Sequence, residues 1–189
     1  SCAAYEHWKA LRAERPNWWA SQLGYGACLH MMGGDRAEVI DALTRALSLK
    51  PNHPRALTLL GQAYEDEDDL DAATQAYRNA LAFGPSPDAQ LGLGRLLQRR
   101  GHHLEAGALL QILIDTQGPQ AATLFLLAQS QEATGALLEA EQTLKLALRL
   151  HPDPLRGKHY LHQFYTRQHR SAAKSAAPPC APSSPPSVN

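Results

Sequence analysis

The sequence predicts an all-α chain, an array of antiparallel helix pairs stacked one on the next into a solenoid. Three observations carry that prediction. Amphipathic stretches of helical length follow one another, as where Gly61 and Tyr64 are succeeded at helical spacing by Ala73, Tyr77 and Ala80. The same order of small and large residues returns after about 34 residues. Prolines fall at that interval too, at Pro51, Pro85, Pro119 and Pro152, where the ring removes a backbone donor and restricts the residue before it, so that each marks a unit boundary.

The elements follow in order. The opening stretch SCAAYEHWKALRAERP places Ala4, Trp8, Leu11 and Pro16 where the second helix of a unit has its small, large, apolar and proline positions. Residues 1–19 are therefore read as an N-terminal helix, a half repeat or a cap, and the chain as one that begins mid-unit. Four full units follow at 20–53, 54–86, 87–120 and 121–154, and the second is the most regular. Around it the pattern is kept by Ala27, His30, Val39, Leu43 and Ala46 before, and by Leu93, Gly94, Leu97, Ala106, Leu110 and Leu113 after. The last copy has Leu127, Ala128, Gln131, Ala140, Leu144 and Ala147. Leu155, Tyr160, Leu161 and Phe164 then give one apolar side to a capping helix over 155–170. The Ala-, Pro- and Ser-rich stretch 171–189 is expected to be a disordered, partly extended tail.

Packing explains the pattern. Small residues such as Gly61, Ala73 and Ala80 let the two helices of a unit approach closely, while Tyr64 and Tyr77 fill the gap to the next unit. This arrangement resembles the tetratricopeptide repeat (TPR), over roughly residues 3 to 170. The resemblance implies a right-handed superhelix of about four full repeats, a half repeat and a capping helix, with a concave face lined by the first helix of every unit.

Composition narrows the function. At 189 residues with 44% hydrophobic residues, the chain can bury a true core. Eighteen Lys and Arg balance eighteen Asp and Glu, so no basic field draws nucleic acid or anionic lipid, and no nucleic-acid partner is expected. No apolar run is long enough to span a bilayer. Three scattered cysteines, Cys2, Cys28 and Cys180, fit neither a disulfide framework nor a CxxC metal ribbon.

Candidate chemistry is sparse. Glu65, Asp66, Glu67, Asp68, Asp69 and Asp71 put six carboxylates in seven positions. An EF-hand loop beginning at Asp66 has Asp71 in place of its glycine and Tyr77 in place of its bidentate glutamate, so calcium is excluded. The run is read as a solvated turn, at the place where other units carry Gly33 and Gly34, Gly101 or Gly135, with part of it facing the groove. Among nine histidines, the His102-His103 pair and His159 with His162 lack a third ligand at completing spacing. Ser21, Cys28 and His30 share a helix without a nucleophile elbow, and LGLGRL lacks the GK[ST] of a phosphate loop. No active site, metal or cofactor is expected, and the chain is read as non-enzymatic. Trp18 and Trp19 are assigned to packing between the first units, and of Met31 and Met32 one to the core and one to the groove.

The resemblance places groove positions on Ser21, Gly24, Cys28, Met31 and Met32 in the first full unit, and on Arg55, Thr58, Gln62, Glu65 and Asp66 in the second. The third has Asp88, Leu91, Arg95, Gln98 and Arg99, and the fourth Ala122, Phe125, Gln129 and Glu132. Met31, Arg55, Gln62, Glu65, Asp66, Leu91, Arg95, Gln98, Arg99, Phe125 and Gln129 are the partner-binding candidates. They run from soft apolar through acidic to basic, with Glu65, Asp66, Arg95 and Arg99 as steering charges. Gly24 and Cys28 stand where chaperone-adaptor TPR domains carry a Lys and an Asn, which argues against that binding mode. The expected function is a scaffold or adaptor that holds a partner peptide or subunit in the concave groove. Two alternatives are an envelope-associated TPR lipoprotein that assists assembly of a secretion or pilus system, with Ser1-Cys2 as the end of a lipobox, and the targeting part of a larger enzyme. The location is cytoplasmic by default, and periplasmic or outer-membrane-associated in the lipoprotein reading.

Overall fold

A computed structural model describes residues 2–150 and 159–168, and every regular element among them is helical. In order these are α1 (Cys2–Glu14), α2 (Trp19–Met31), α3 (Arg36–Leu49), α4 (Pro54–Asp66), α5 (Leu70–Phe83), α6 (Pro87–Arg99), α7 (His103–Gln117), α8 (Ala121–Ala133) and α9 (Leu137–Leu150). A tenth, α10, covers 159–168. The expected Cys2 anchor, Leu155 and the 171–189 tail concern side chains and segments outside the described residues. No described helix is long and apolar enough to cross a membrane.

Helix ends follow from local chemistry. Asp35 and Asp69 accept the backbone N–H of Ala37 and Ala72 at the starts of α3 and α5. Before α4 and α6, His53 and Ser86 do the same for Ala56 and Ala89, each followed by a proline in the first helical turn. Each unit closes its first helix by one backbone device: Gly34, Asp69, His102 and Ala136 donate their N–H back to the carbonyls of Leu29, Tyr64, Leu97 and Gln131. That closure requires a left-handed residue just before, which is Gly33 (φ +67°), Gly101 (+80°) and Gly135 (+83°) in three units and Asp68 (+61°) in the second.

Small-against-large packing then joins the units into an α-solenoid of antiparallel pairs. Tyr77 is fully buried. A Cβ on Gly61, in its own unit, would lie 2.7 Å from its ring, and one on Gly92, in the next, 2.5 Å from it. The ring is thus held between two glycines that touch it with backbone. Trp8 in α1 lies over Gly24 the same way, a Cβ there falling 2.3 Å from the indole, so α1 packs as the second helix of a unit would. At the other end Phe164 of α10 is buried against Ala128, Ala140 and Leu144, and Arg167 donates twice to Glu132 at 2.8 Å.

The backbones of consecutive first helices (α2 with α4, α4 with α6, α6 with α8) approach one another closely, whereas those of α3, α5, α7 and α9 stay apart and only long side chains such as Arg78 and Glu105 bridge them. The first helices therefore lie on the inside of the curve and form the concave face.

Candidate functional site

The concave face has an open half and a stitched half. At the open end, Trp8, Trp19, Ala20, Gly24 and Met31 border a recess of 330 Å³ in which Arg55 is the only charged lining residue. Gly24 admits the Trp8 indole against α2, and Ala20 and Ala27 on either side of it leave a trough walled by Trp8 and Trp19. Trp19 is fixed by stacking on His53 at 4.9 Å, with the Lys50 ammonium 4.0 Å above its ring. Burial and the neighbouring Lys50 charge hold the His53 imidazole below its ordinary range, so its Nδ1 stays free to accept the Ala56 N–H. Past Arg55 the trough continues into a second recess of 510 Å³ bordered by His53, Leu59, Gln62, Pro85 and Asp88.

The stitched half corrects the expected order of charge along the groove. The acidic run and the arginines one unit away are mutual partners. Glu65 accepts two bonds from Arg95 at 2.7 and 2.8 Å and a third from the Tyr77 hydroxyl at 3.1 Å. Asp68 pairs with Arg99 at 2.6 Å, and Asp71 with Arg100. Asp66 faces His30 at 3.6 Å, Glu67 faces Arg36 at 3.9 Å, and Asp69 is a helix cap. All six carboxylates have protein partners. Glu65 holds the Arg95 guanidinium pKa above its usual value, and burial with the Glu65 charge pushes the Tyr77 hydroxyl well up. The steering charges Glu65 and Arg95 thus form a fork-to-fork pair, with only 13% of the Glu65 side chain exposed.

Other groove candidates sort by environment. The Gln98 amide donates to the Leu126 carbonyl and to the Ser130 hydroxyl, the latter at 2.7 Å, and so bridges α6 to α8. Phe125 stacks on Tyr160 at 4.8 Å, and Gln129 borders the same 50 Å³ crevice under α10, so both meet the capping helix. Leu91 is half-buried. Ser21 is buried and donates to the Arg15 and Trp18 carbonyls, away from the groove, whereas Cys28 and Thr58, also largely buried, lie in the floors of the first and second recess, Thr58 bonded to Ser86. The split expected for the two methionines does not occur, since Met31 is 73% and Met32 49% exposed. Sequence reasoning missed Trp8, Ala20, Leu59 and His53 as groove walls. The signal was the stripe of small residues on α2 beside two tryptophans. Among the described residues no three His, Cys, Asp or Glu side chains converge as metal ligands.

Comparison with known proteins agrees with this architecture. A family model described as a tetratricopeptide repeat matches residues 26–89 and 91–153. Among solved structures, the MamA protein is 24% identical with a TM-score of 0.68, over 77% of this chain and 80% of that one. YrrB, described as a TPR protein with an unusual peptide-binding site, is 17% identical with a TM-score of 0.75, over 88% and 86%. A tetratricopeptide repeat protein from Parabacteroides merdae is 17% identical with a TM-score of 0.75, over 93% and 70%. At these identities the likeness is one of fold. No curated protein matches.

Proposed function

We propose, from the premise that this chain belongs to the tetratricopeptide repeat family, that it is a non-enzymatic scaffold holding a protein or peptide partner in its concave groove. One observation carries the reading: two recesses lie side by side on the concave face, the Trp8–Trp19–Met31 recess and the one at Gln62 and Asp88, with Arg55 lining both. A preformed surface keeps the ordering cost of binding low, and part-buried tryptophans beside an arginine are residue types on which binding energy concentrates. The peptide-binding site attributed to YrrB supports the reading at the level of fold.

Met31, Arg55 and Gln62 are assigned to direct contact, with Leu91, Asp66 and Arg99 along the continuation of the path. Glu65, Arg95 and Gln98 are assigned to holding successive units in register, and Phe125 and Gln129 to the seat of α10. Affinity capture from native lysate tests this with wild type beside Met31→Glu and the convex-face control Thr44→Lys, each checked for folding by circular dichroism. The expected result is a specific partner kept by Thr44→Lys and lost by Met31→Glu. Retention by both folded variants would move the binding surface elsewhere and overturn the assignment.

A further inference from the structure

The groove reading leaves open what chemistry the partner presents, and Arg55 bears on that. It is exposed, and no carboxylate or carbonyl among the described residues pairs with it. The other two arginines of the concave helices, Arg95 and Arg99, are engaged by Glu65 and Asp68. Arg55 also stands in the first turn of α4, which holds no acidic residue. A cation there is opposed by the helix dipole, and an anion brought to it is favoured by both the guanidinium and the dipole. On one side lies the apolar recess of Trp8, Trp19 and Met31, with no second charge. On the other the trough goes on past Gln62 to Asp88.

We infer that the groove takes an extended peptide segment in which a bulky apolar side chain is followed within a few residues by an internal Asp or Glu, the apolar group entering the Trp8–Trp19–Met31 recess and the carboxylate closing on Arg55. The inference rests on the groove reading above. The carboxylate is placed on a side chain, so that the ligand chain can run on into the second recess at Gln62 and Asp88. Beyond the acid, Asp88 and Gln62 favour a polar or basic residue. An extended strand advances about 3.3 Å per residue, so anchor and acid are neighbours or near neighbours in the ligand.

The experiment selects a random displayed peptide library on the wild-type protein. The best recovered peptide and its acid-to-amide counterpart are then titrated against wild type, Arg55→Gln and Met31→Glu. Arg55 makes no internal bond, so Arg55→Gln leaves the fold unchanged, which circular dichroism verifies. The expected peptides carry an Asp or Glu close to Leu, Phe, Tyr, Trp or Met. Amidating that acid should weaken binding roughly tenfold or more on wild type and leave it unchanged on Arg55→Gln, the signature of a charge-assisted pair between the two groups. Rising salt should shrink the same difference. If recovered peptides lose affinity on Met31→Glu but lack the acid, or feel its amidation equally on Arg55→Gln, this inference is overturned while the groove reading stands. If no peptide is recovered whose binding depends on Met31 or Arg55, both are overturned.

Discussion

The seam between the second and third units and the seam between the third and fourth are built on one plan with different materials. In the earlier seam Tyr77 is pinned between Gly61 and Gly92, and four ion pairs cross the junction, from Glu65, Asp68, Asp71 and Arg78 to Arg95, Arg99, Arg100 and Glu105. In the later seam the place of Tyr77 is taken by Leu110, tucked beneath Gly94, and the crossing polar contact is the Gln98 amide to Leu126 and Ser130. Two buried polar atoms at that junction, His103 Nδ1 and Gln131 Oε1, have no protein partner. The helix starts differ in the same sense. α3 to α6 are each capped by a side chain, and α7 and α8 are not. In a solenoid, total stability is close to the sum of unit and seam terms, so unequal seams make the array stiffer on one side of α6 than on the other.

The largest effect should come from emptying the aromatic seam. Tyr77→Ala removes a fully buried ring and is expected to cost about 3–5 kcal/mol, beside about 2–4 kcal/mol for Leu110→Ala. The two should also differ in cooperativity. Trp8, Trp18 and Trp19 all lie in the first part of the chain, so indole fluorescence reports that end and far-ultraviolet circular dichroism reports the whole. Chemical denaturation of Tyr77→Ala should split the two signals, the N-terminal end melting first because it has lost its neighbour. Leu110→Ala should leave the indole transition late and pull the circular dichroism transition early. Coincident transitions in both variants would show that the seams are equivalent, against the comparison drawn above.

Next in size is the Glu65–Arg95 pair. Arg95 is about half exposed, so solvent screens the Coulomb attraction, and the main loss on Glu65→Gln is the geometry of three converging bonds. About 1–2 kcal/mol is expected. Arg95→Gln alone should cost a similar amount, and the double variant less than the sum. A double-mutant cycle by denaturation measures this directly, and strict additivity would mean that the pair contributes nothing beyond its separate parts.

These residues also mark how far the sequence could be read. Tyr77 was legible as a gap filler because small and large residues recur one unit apart, and packing of that kind is local to adjacent helices. The ion pairs were not read, because they fall a few residues short of the 34-residue repeat: Glu65 and Arg95, Asp68 and Arg99, Asp71 and Arg100 are separated by 30, 31 and 29 residues. A dense acidic run looks like one patch when taken along the chain. Folded between its neighbours it separates: Glu65, Asp68 and Asp71 reach the next unit, Asp66 and Glu67 face the one before, and Asp69 caps α5, since the run bends from the end of α4 through the turn into α5. The open recess escaped notice for a related reason. Trp8 and Trp19 belong to packing positions, Trp8 filling the space over Gly24, and only Ala20 and Ala27 beside them leave room.

A smaller effect, confined to the capped side, concerns pH at the α3–α4 junction. The folded pKa of His53 is depressed by burial and by Lys50, and its neutral Nδ1 is the cap acceptor. The unfolded chain therefore binds the proton more readily, and the stability from this group is present above the ordinary histidine value of about 6.5 and lost as pH falls through the lower folded value. His53→Ser, which copies Ser86 before α6, should keep the cap and remove this pH dependence. An unchanged slope of stability against pH in the variant would assign the dependence to another group.

The smallest expected change is the most informative about the acidic turn. Asp68 stands at φ +61°, where the other three units have glycine. An Asp there costs about 1 kcal/mol of backbone strain relative to glycine, tempered by its tolerance of the left-handed region. In return its carboxylate, 76% exposed, reaches Arg99 across the seam, a contact of about 0–1 kcal/mol. Asp68→Gly should therefore change stability by no more than about 0.5 kcal/mol in low salt, because strain relief and the lost pair nearly cancel. Raising the salt concentration weakens the pair and leaves the backbone term untouched, so the variant should then become the more stable protein. Gly101→Asp is the opposite move on the later seam, adding the strain at φ +80° with no bond to offset it in the described structure. It should destabilise by about 1 kcal/mol at any salt concentration, and equal salt responses for the two variants would remove the cross-seam pair as the reason unit two keeps its aspartate.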